Sequence, residues 1–332
     1  MNLTFYHIIY AFFYSIYKQI YLIRIYLKNK VMEQKRLIRN NSDKQMQKIV
    51  IKEKKEPKIK IKRRNNKSRT IIGKNISIFS GCKHCEYLEQ NPDFCDYMED
   101  YILSINNFDH EILHHLFCVF DGHGGDETAK LCVRKFPEIF KQCLKENPSN
   151  YEKAIKNSFF LMDKEIAKMN KNEMGNTGTI VFINNNILYC ANIGDSSCCL
   201  LGKTNEFITI EDKCTNNNEK IRIEKLGGKI IDDRIDGILS ISRGFGDYDL
   251  KNKGLISEPH ITKKLIDNNL NYCILASDGV WDFLNLDDVS KITNENKNNF
   301  NDIAKIIVET AMKKGSEDNI SCIVIELNKR IQ

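Results

Sequence analysis

The stretch that decides the fold is FCVFDGHGGDETAK, residues 117–130. Its apolar run, Phe117 to Phe120, predicts a buried strand, and the run stops at a carboxylate, Asp121. Glycine, histidine and two more glycines follow, and a helical pattern begins after them. Because a buried charge is costly without a partner, the stretch predicts either a phosphate or a cation beside Asp121.

Four other aspartates occupy a similar local context, at a strand end or tight turn next to glycine. They are Asp195 in ANIGDSS, Asp278 and Asp282 in LASDGVWD, and Asp318 in GSEDNIS. One such aspartate is usually a turn former, but several gathered carboxylates repel one another unless they are protonated or bind a metal. A set of oxygen ligands favours Mg²⁺ or Mn²⁺. GHGG after an aspartate matches neither a P-loop nor GxGxxG, so the sequence favours the cation over a phosphate cradle.

The periodicity of the chain predicts short strands interrupted by amphipathic helices. Strands are predicted at 114–120, 179–183, 187–193, 197–201, 206–210, 272–277 and 320–327. Helices are predicted over 129–144, 154–169 and 303–313. Helix pairs inserted among meandering strands indicate an α+β fold of stacked antiparallel sheets flanked by helices, and they argue against alternating βαβ units.

Charge divides the 332-residue chain into a basic segment and an acidic body. Residues 28–74 hold 18 Lys/Arg and 4 Asp/Glu, whereas residues 75–332 hold 30 Lys/Arg and 40 Asp/Glu. Residues 28–69, rich in lysine and arginine and without a sustained period, are predicted to be a disordered tail or linker. Binding of this tail to nucleic acid or anionic lipid is the less favoured alternative, and no specific nucleic-acid partner is expected.

Residues 1–27 are rich in Ile, Tyr and Phe, but His7, Lys18, Gln19 and Arg24 break the apolar run. The unbroken part is about half the roughly 20 residues that a membrane span needs. Three interpretations stay open: a membrane-surface or signal-anchor helix, a disordered extension, or a wrongly predicted start with the true one at Met32. Membrane contact is expected only through this segment.

Many of the twelve cysteines lie within apolar strand-like runs, which predicts small core residues in a reducing compartment. The single C-x-x-C, CKHC at 82–85, has no second pair at zinc-finger spacing. A zinc site using Cys82, His84, Cys85 and Cys95 is the minor alternative. We expect a cytoplasmic monomer, with the nucleus as the alternative location.

Five motifs together resemble a known family. FCVFDGHGG, the pair GNTGTIVFI and YCANIGDS, LSISRGFGD, LASDGVWDFL and GSEDNISCIVIEL are similar to the successive motifs of the metal-dependent serine/threonine phosphatases of type 2C. They occur in the family's order and at similar spacing, over about residues 70–328. The resemblance implies a catalytic domain there, with a four-layer α-β-β-α sandwich of two antiparallel sheets flanked by helices and metals at one edge.

The resemblance also implies roles for individual residues around two Mg²⁺ or Mn²⁺ ions and a third, weaker site. Asp121 and His123 are the implied catalytic residues, with His123 as general acid. Thr179 and Asn319 are implied to contact the metal ligands rather than the metals themselves. Arg243 and Asp247 follow the segment that forms a flap over the site. The implied metal-site residues are Glu99, Asp121, Gly122 through its carbonyl, Asp278 and Asp318, with Asp195 and Asp282 for the third site.

The implied reaction is hydrolysis of phosphoserine and phosphothreonine in protein substrates. A hydroxide bridging the two metals attacks phosphorus, and a histidine protonates the leaving oxygen. The reaction needs no phosphoenzyme and therefore no nucleophilic cysteine.

The main departure from the family pattern lies at Cys95. The family commonly has an arginine there, four residues before the metal-site glutamate, which grips the substrate phosphate. A thiol cannot replace a bidentate guanidinium. Either a nearby cation such as Lys83 or Arg69 substitutes, or phosphate affinity falls, or the register of this segment differs. A weakly active or inactive phosphatase-like binding module is therefore the alternative function.

Two further departures concern the flap. Asp212 and Cys214 stand where the family usually has the histidine and proline of Asp-His-Lys-Pro, and Gly244 stands where alanine is common. These changes bear on substrate handling more than on metal binding. A membrane-tethered scaffold led by residues 1–27 is the third functional alternative.

Overall fold

The computed structural model describes residues 82–111 and 113–327 as an α+β sandwich with two five-stranded antiparallel sheets. The predictions for residues 1–27 and 28–69 lie outside this part of the chain. The strands are β1 (His84–Glu89), β2 (Tyr101–Asn106), β3 (His114–Phe120), β4 (Gly122–His123), β5 (Gly175–Asn176), β6 (Gly178–Asn184), β7 (Ile187–Ile193), β8 (Ser197–Gly202), β9 (Glu206–Phe207), β10 (Ile230–Ile231), β11 (Arg234–Ile235), β12 (Phe245–Gly246), β13 (His260–Leu265), β14 (Leu270–Ala276) and β15 (Ile320–Glu326).

The helices lie between the strands in the chain. They are α1 (Glu127–Glu146), α2 (Tyr151–Ala167), α3 (Asn217–Lys225), α4 (Tyr248–Lys251), α5 (Asp278–Trp281), α6 (Leu286–Glu295) and α7 (Ile303–Lys313), with 3-10 turns at Phe108–His110 and Lys297–Asp302. One large sheet has the order β13-β7-β6-β3-β2, and the other has the order β1-β15-β14-β8-β9.

Strand β3 shows why its sequence is continuously apolar. Phe117 and Val119 belong to the core between the two sheets, whereas Leu116, Cys118 and Phe120 belong to the core beneath the outer helices. All five residues are fully buried. Alternate residues of a strand point to opposite faces, so a strand covered on both sides is apolar at every position.

Helices cover the outer face of each sheet and complete the four predicted layers. Phe136 and Phe140 of α1 and Phe159 of α2 pack with the β3 side of the first sheet. On the other side, Ile307 and Val308 of α7 pack with the second sheet. The predicted α-β-β-α sandwich is therefore confirmed.

Each predicted helix and strand is present in the structure, but some strands with fewer apolar residues are shorter than predicted or were not predicted. The strand predicted at 206–210 is shorter, since only Glu206–Phe207 pairs with β8. Strands β1, β2 and β13 were not predicted, because their sequences mix polar and apolar residues. Within the described ranges, no helix combines the length and apolarity needed to cross a membrane.

Candidate active site

The predicted aspartates lie where strands end at one edge of the sandwich. Asp121 directly follows β3, and Asp278 follows β14 after a single serine. Asp195 lies in the turn between β7 and β8, and Asp318 lies just before β15. Because these neighbours are antiparallel, the end of one strand meets the start of the next, and residues far apart in sequence share one edge.

The pKa values show how strongly these carboxylates act on one another. Burial, followed by the charges of Asp100, Asp278, Asp195 and Asp318, raises the pKa of Asp121 well above its usual range. Burial, followed by the charges of Asp195, Asp318, Asp100 and Asp282, raises the pKa of Asp278 to about 8. Burial raises the pKa of Asp195 to about 6, against the opposing influence of the Lys213 ammonium. The structure thus brings four of the predicted aspartates into one repelling cluster, which requires protons or cations.

Asp100 belongs to this cluster although the sequence did not single it out. Its side chain is 1% exposed, and neither carboxyl oxygen has a hydrogen-bond partner. Burial raises the pKa of Asp100 to about 6, and the nearby Ser277 and Ser321 hydroxyls oppose this rise. Neither hydroxyl forms a hydrogen bond of normal geometry with the carboxyl oxygens. A buried carboxylate without a donor fits a bound cation, so the residues present suit a hard divalent ion.

Glu99 is held against the loop after β3. Its side-chain Oε1 accepts a hydrogen bond from the Gly125 N–H at 2.6 Å, and its carbonyl accepts one from the Gly122 N–H at 3.2 Å. A Cβ at Gly122 would lie 2.8 Å from that carbonyl oxygen, so only glycine allows this approach. From the other side, Asn319 Oδ1 accepts the Glu99 N–H at 2.6 Å. The predicted support from Asn319 therefore acts on the Glu99 backbone.

Threonines at the start of β6 connect the two aspartate turns. Thr179 Oγ1 donates to the carbonyl of Ser196 at 2.7 Å, next to Asp195. Thr177, which the sequence did not single out, accepts the Asp121 N–H at 3.2 Å, and its hydroxyl lies 2.8 Å from that of Ser196. These bonds fix the spacing between Asp121 and Asp195.

His123 is paired with Asp247, which lies 124 residues further along the chain. His123 Nε2 lies 2.7 Å from Asp247 Oδ2. Asp247 adopts a left-handed backbone conformation with φ 48°, and its N–H donates to the Met174 carbonyl at 2.9 Å. The contact crosses Gly175, where a Cβ would lie 1.9 Å from Asp247 Oδ2. The predicted general acid is therefore oriented by a carboxylate that the glycine admits.

Replacing Gly175 by alanine is expected to break this contact and to destabilise the fold by about 1–3 kcal/mol, since the added carbon overlaps both side chains. Gly244→Ala is the matched control, because a Cβ there meets the flexible end of Ile241 at 3.1 Å and the Asn176 carbonyl oxygen at 3.5 Å. Thermal melts and phosphatase rates of both variants test the prediction. A Gly175→Ala protein as stable and as active as Gly244→Ala would contradict it.

Arg243 directly follows the predicted flap segment, residues 212–242, and does not belong to the aspartate cluster. Its guanidinium is 2.7 Å from Glu219 Oε1 and 3.3 Å from Asp212 Oδ1. Although burial acts in the opposite direction, hydrogen bonds from Arg243 and Arg222 lower the pKa of Glu219 to about 2. The network fastens α3 to the strand-like segment that carries Asp212.

The same network explains a second acidic group. Ligand atoms of Asp212, Glu219 and His260 lie within 4.8 Å of one another. His260 Nε2 is 2.9 Å from Asp212 Oδ1, and the two arginines neutralise both carboxylates. A metal there would have to displace guanidinium groups, so we assign these residues to an ion-pair network.

Cys95 lies beside the aspartate cluster as a neutral thiol. Its Sγ donates to the Glu317 carbonyl at 3.4 Å. Burial, then the charges of Asp318, Asp100 and Glu99, raises the pKa of this thiol to about 11. Next to it, a cleft of ≈ 280 Å³ opens at the sandwich edge, lined by Asp278, Gly279, Asp282, Phe283, Glu317 and Asp318.

Two alternatives for the Cys95 region receive no support. The Lys83 ammonium is 3.1 Å from Glu326 and 4.0 Å from the centre of the Phe300 ring, and Glu326 ends β15 whereas Asp318 lies before its start. Arg69 lies outside the described residues. Cys85 packs in the core against α7, and the CKHC residues do not form a metal-ligand group within the described ranges.

Comparison with known proteins gives the family. A family model described as protein phosphatase 2C matches residues 88–320. Probable protein phosphatase 2C 71 of Arabidopsis thaliana is 33% identical over 238 residues, covering 69% of this chain and 52% of that protein. Protein phosphatase 2C homolog 2 of Schizosaccharomyces pombe is 36% identical over 179 residues, covering 50% of this chain and 48% of that protein. The chain thus spans about half the length of these relatives.

Solved structures share the fold. A Toxoplasma gondii serine-threonine phosphatase 2C has a TM-score of 0.63 at 20% identity, covering 74% of this chain and 95% of that chain. A C. elegans sex determining protein has a TM-score of 0.70 at 22% identity, covering 74% of this chain and 65% of that chain. The likeness to these structures lies in the fold, two antiparallel sheets with helices on both outer faces. By its sequence, the chain belongs to the protein phosphatase 2C family.

Proposed function

We propose that the protein hydrolyses phosphoserine and phosphothreonine in protein substrates through a binuclear Mg²⁺ or Mn²⁺ centre. The observation that carries this proposal is the convergence of Asp100, Asp121, Asp195, Asp278 and Asp318 on one sandwich edge, where Asp100 is buried without a donor. An acidic edge repels a phosphorylated substrate unless cations cover it, so the cluster itself argues for metal-mediated phosphate binding.

Different residues of this edge would bind each of the two ions. Asp121 would contribute to holding both ions, Glu99 and the Gly122 carbonyl would help to hold one of them, and Asp278 and Asp318 would help to hold the other. When bound, the ions would supply a hydroxide nucleophile near neutral pH and offset charge on the phosphoryl group. Asp100, whose charge acts on Asp121, would help to hold the ions at the same centre.

His123 would handle the proton of the leaving group. Its Nε2 is engaged with Asp247, so Nδ1 is the ring nitrogen that remains to protonate the serine or threonine oxygen as it leaves. Asp247 would fix the orientation of the imidazole ring through this contact. Since the attack needs no protein nucleophile, the buried cysteines have no part in it.

The test is hydrolysis of a phosphothreonine peptide by the full chain in Mn²⁺, compared with an Asp121→Ala/Asp278→Ala variant. A wild-type rate no higher than that of the variant would exclude the enzyme. The cytoplasmic location, the monomeric state and a third, weaker metal site between Asp195 and Asp282 remain parts of the proposal.

A weakly active, phosphatase-like binding module is the second candidate, because Cys95 is a neutral thiol where an arginine would grip phosphate. Cys95→Arg is expected to lower KM for the phosphopeptide about tenfold or more, since a charge-assisted contact contributes about 1.5–3 kcal/mol. Cys95→Met, which adds bulk without charge, is the control in the same kinetic assay. If the arginine variant gains no more than the methionine variant, phosphate is held elsewhere.

A further inference from the structure

The outer part of the acidic edge already has a cation of its own, Lys213. Its Nζ lies 3.3 Å from Asp282 Oδ1 and 3.7 Å from Glu211 Oε2. Asp195 lies close by as well, because Asp212 and Gly194, the residues that precede Lys213 and Asp195, are hydrogen-bonded to each other. Three carboxylates therefore lie around one ammonium group, those of Asp195, Glu211 and Asp282.

Backbone hydrogen bonds hold Lys213 at this place. The Asp212 N–H donates to the Gly194 carbonyl at 2.9 Å, and the Gly194 N–H donates back to Asp212 Oδ2 at 3.1 Å. On the other side of the lysine, the Cys214 N–H donates to the Ser240 carbonyl at 2.8 Å. Gly194 directly precedes Asp195, so these bonds tie the lysine segment to the Asp195 turn.

The buried Asp212 carboxylate is itself fixed by His260 and Arg243, which makes the attachment rigid. Lys213 is thus presented from a pinned segment beside Asp195 and Asp282. Its side chain is 30% exposed, which leaves the ammonium at the rim of the site rather than beneath it.

We propose that Lys213 is the resident cation of the outer carboxylate pair, Asp195 and Asp282, and that it weakens binding of a third divalent ion there. An ammonium carries one positive charge and three hydrogen-bond donors, so it satisfies carboxylates as an ion does. A divalent ion entering beside it meets direct repulsion over a few ångströms in a partly buried setting. The inference rests on the proposed function, because it presumes that two other ions bind at Asp121 and Asp278.

Counting bound Mn²⁺ tests the proposal without relying on turnover. Mn²⁺ is titrated into the metal-free full-length chain, with calorimetry for affinity and electron paramagnetic resonance for free ion. Wild type is expected to bind two ions tightly. Lys213→Met, and independently Lys213→Gln, is expected to bind a third ion at least about tenfold more tightly than wild type does.

Lys264→Met is the matched control, because that lysine is also paired with a glutamate, Glu206, at 2.8 Å and has a side chain 33% exposed. It should bind Mn²⁺ as wild type does. Adding Asp282→Asn to Lys213→Met should remove the gained third ion, which would place that ion at the outer carboxylate pair.

Two results would overturn the inference while leaving the proposed function intact. One is a wild type that binds three ions with equal affinity. The other is a set of folded Lys213 variants whose Mn²⁺ isotherms match that of Lys264→Met. A wild type whose Mn²⁺ binding is no tighter than that of Asp121→Ala/Asp278→Ala would instead overturn the proposed function, and this inference with it.

Discussion

Replacing Asp121 and Asp278 together by alanine is expected to lower kcat/KM for a phosphothreonine peptide at least about 10³-fold with saturating Mn²⁺. This factor corresponds to about 4 kcal/mol of transition-state stabilisation. The two carboxylates lie centrally in the cluster, because the charges of Asp100, Asp195 and Asp318 raise the pKa of both of them. Their removal would leave the remaining ligands unable to hold two ions together.

Folding of the double variant separates loss of the metal centre from loss of the protein. In the absence of metal, the substitutions remove two partly buried carboxylates that repel one another, so the metal-free fold should not be weakened by their loss of charge. Asp249→Ala/Asp287→Ala is the control, because it removes two exposed aspartates at helix starts. Stopped assays and thermal melts on all three proteins provide the measurement. A double variant that keeps more than about a tenth of wild-type kcat/KM would rule out the assigned centre.

The sequence could reveal those site residues whose positions depend only on the residues next to them in the chain. Asp121, Asp195, Asp278 and Asp318 each terminate or precede an apolar run, so their position at a strand end follows from the sequence around them. Stacking of the sheets then brings those ends together. Helices α1, α2 and α7 could be predicted for the same reason, since the helical spacing of apolar residues is visible within each of these segments.

What the sequence could not reveal depends on contacts between distant segments. The burial of Asp100 beside Asp121 depends on residues of other strands, so the sequence around Asp100 does not reveal it. Glu99, the preceding residue, could be singled out because it matches the metal-site glutamate of the family. Asp247 reaches His123 across Gly175, and Lys213 reaches Asp282 across 69 residues. Strands β1, β2 and β13 mix polar and apolar residues. They lack the clear alternation of apolar and polar residues that would distinguish a strand from a loop.

The metal-free protein is expected to lose stability as pH rises from about 5 to about 8. The pKa values of Asp100 and Asp195 lie at about 6 and that of Asp278 at about 8, against an ordinary value of 3.8. Between these limits the folded state binds more protons than the unfolded state, so the free energy of unfolding falls with pH. The contribution is fully present below about pH 4 and is lost as pH passes through the raised values.

Mn²⁺ should reverse this trend, because a bound divalent ion stabilises the ionised carboxylates that repel one another without it. We expect the metal-free protein to lose on the order of 6 kcal/mol over this range, or roughly 12–24 °C in Tm, and the gap between Mn²⁺ and EDTA melts to widen with pH. Asp278→Asn supplies the decisive comparison. A neutral amide there should flatten the metal-free slope between pH 6 and 8, because it removes the group that titrates at about pH 8. A metal-free wild type whose Tm stays level or rises with pH over that interval would show that the aspartates do not share one buried edge.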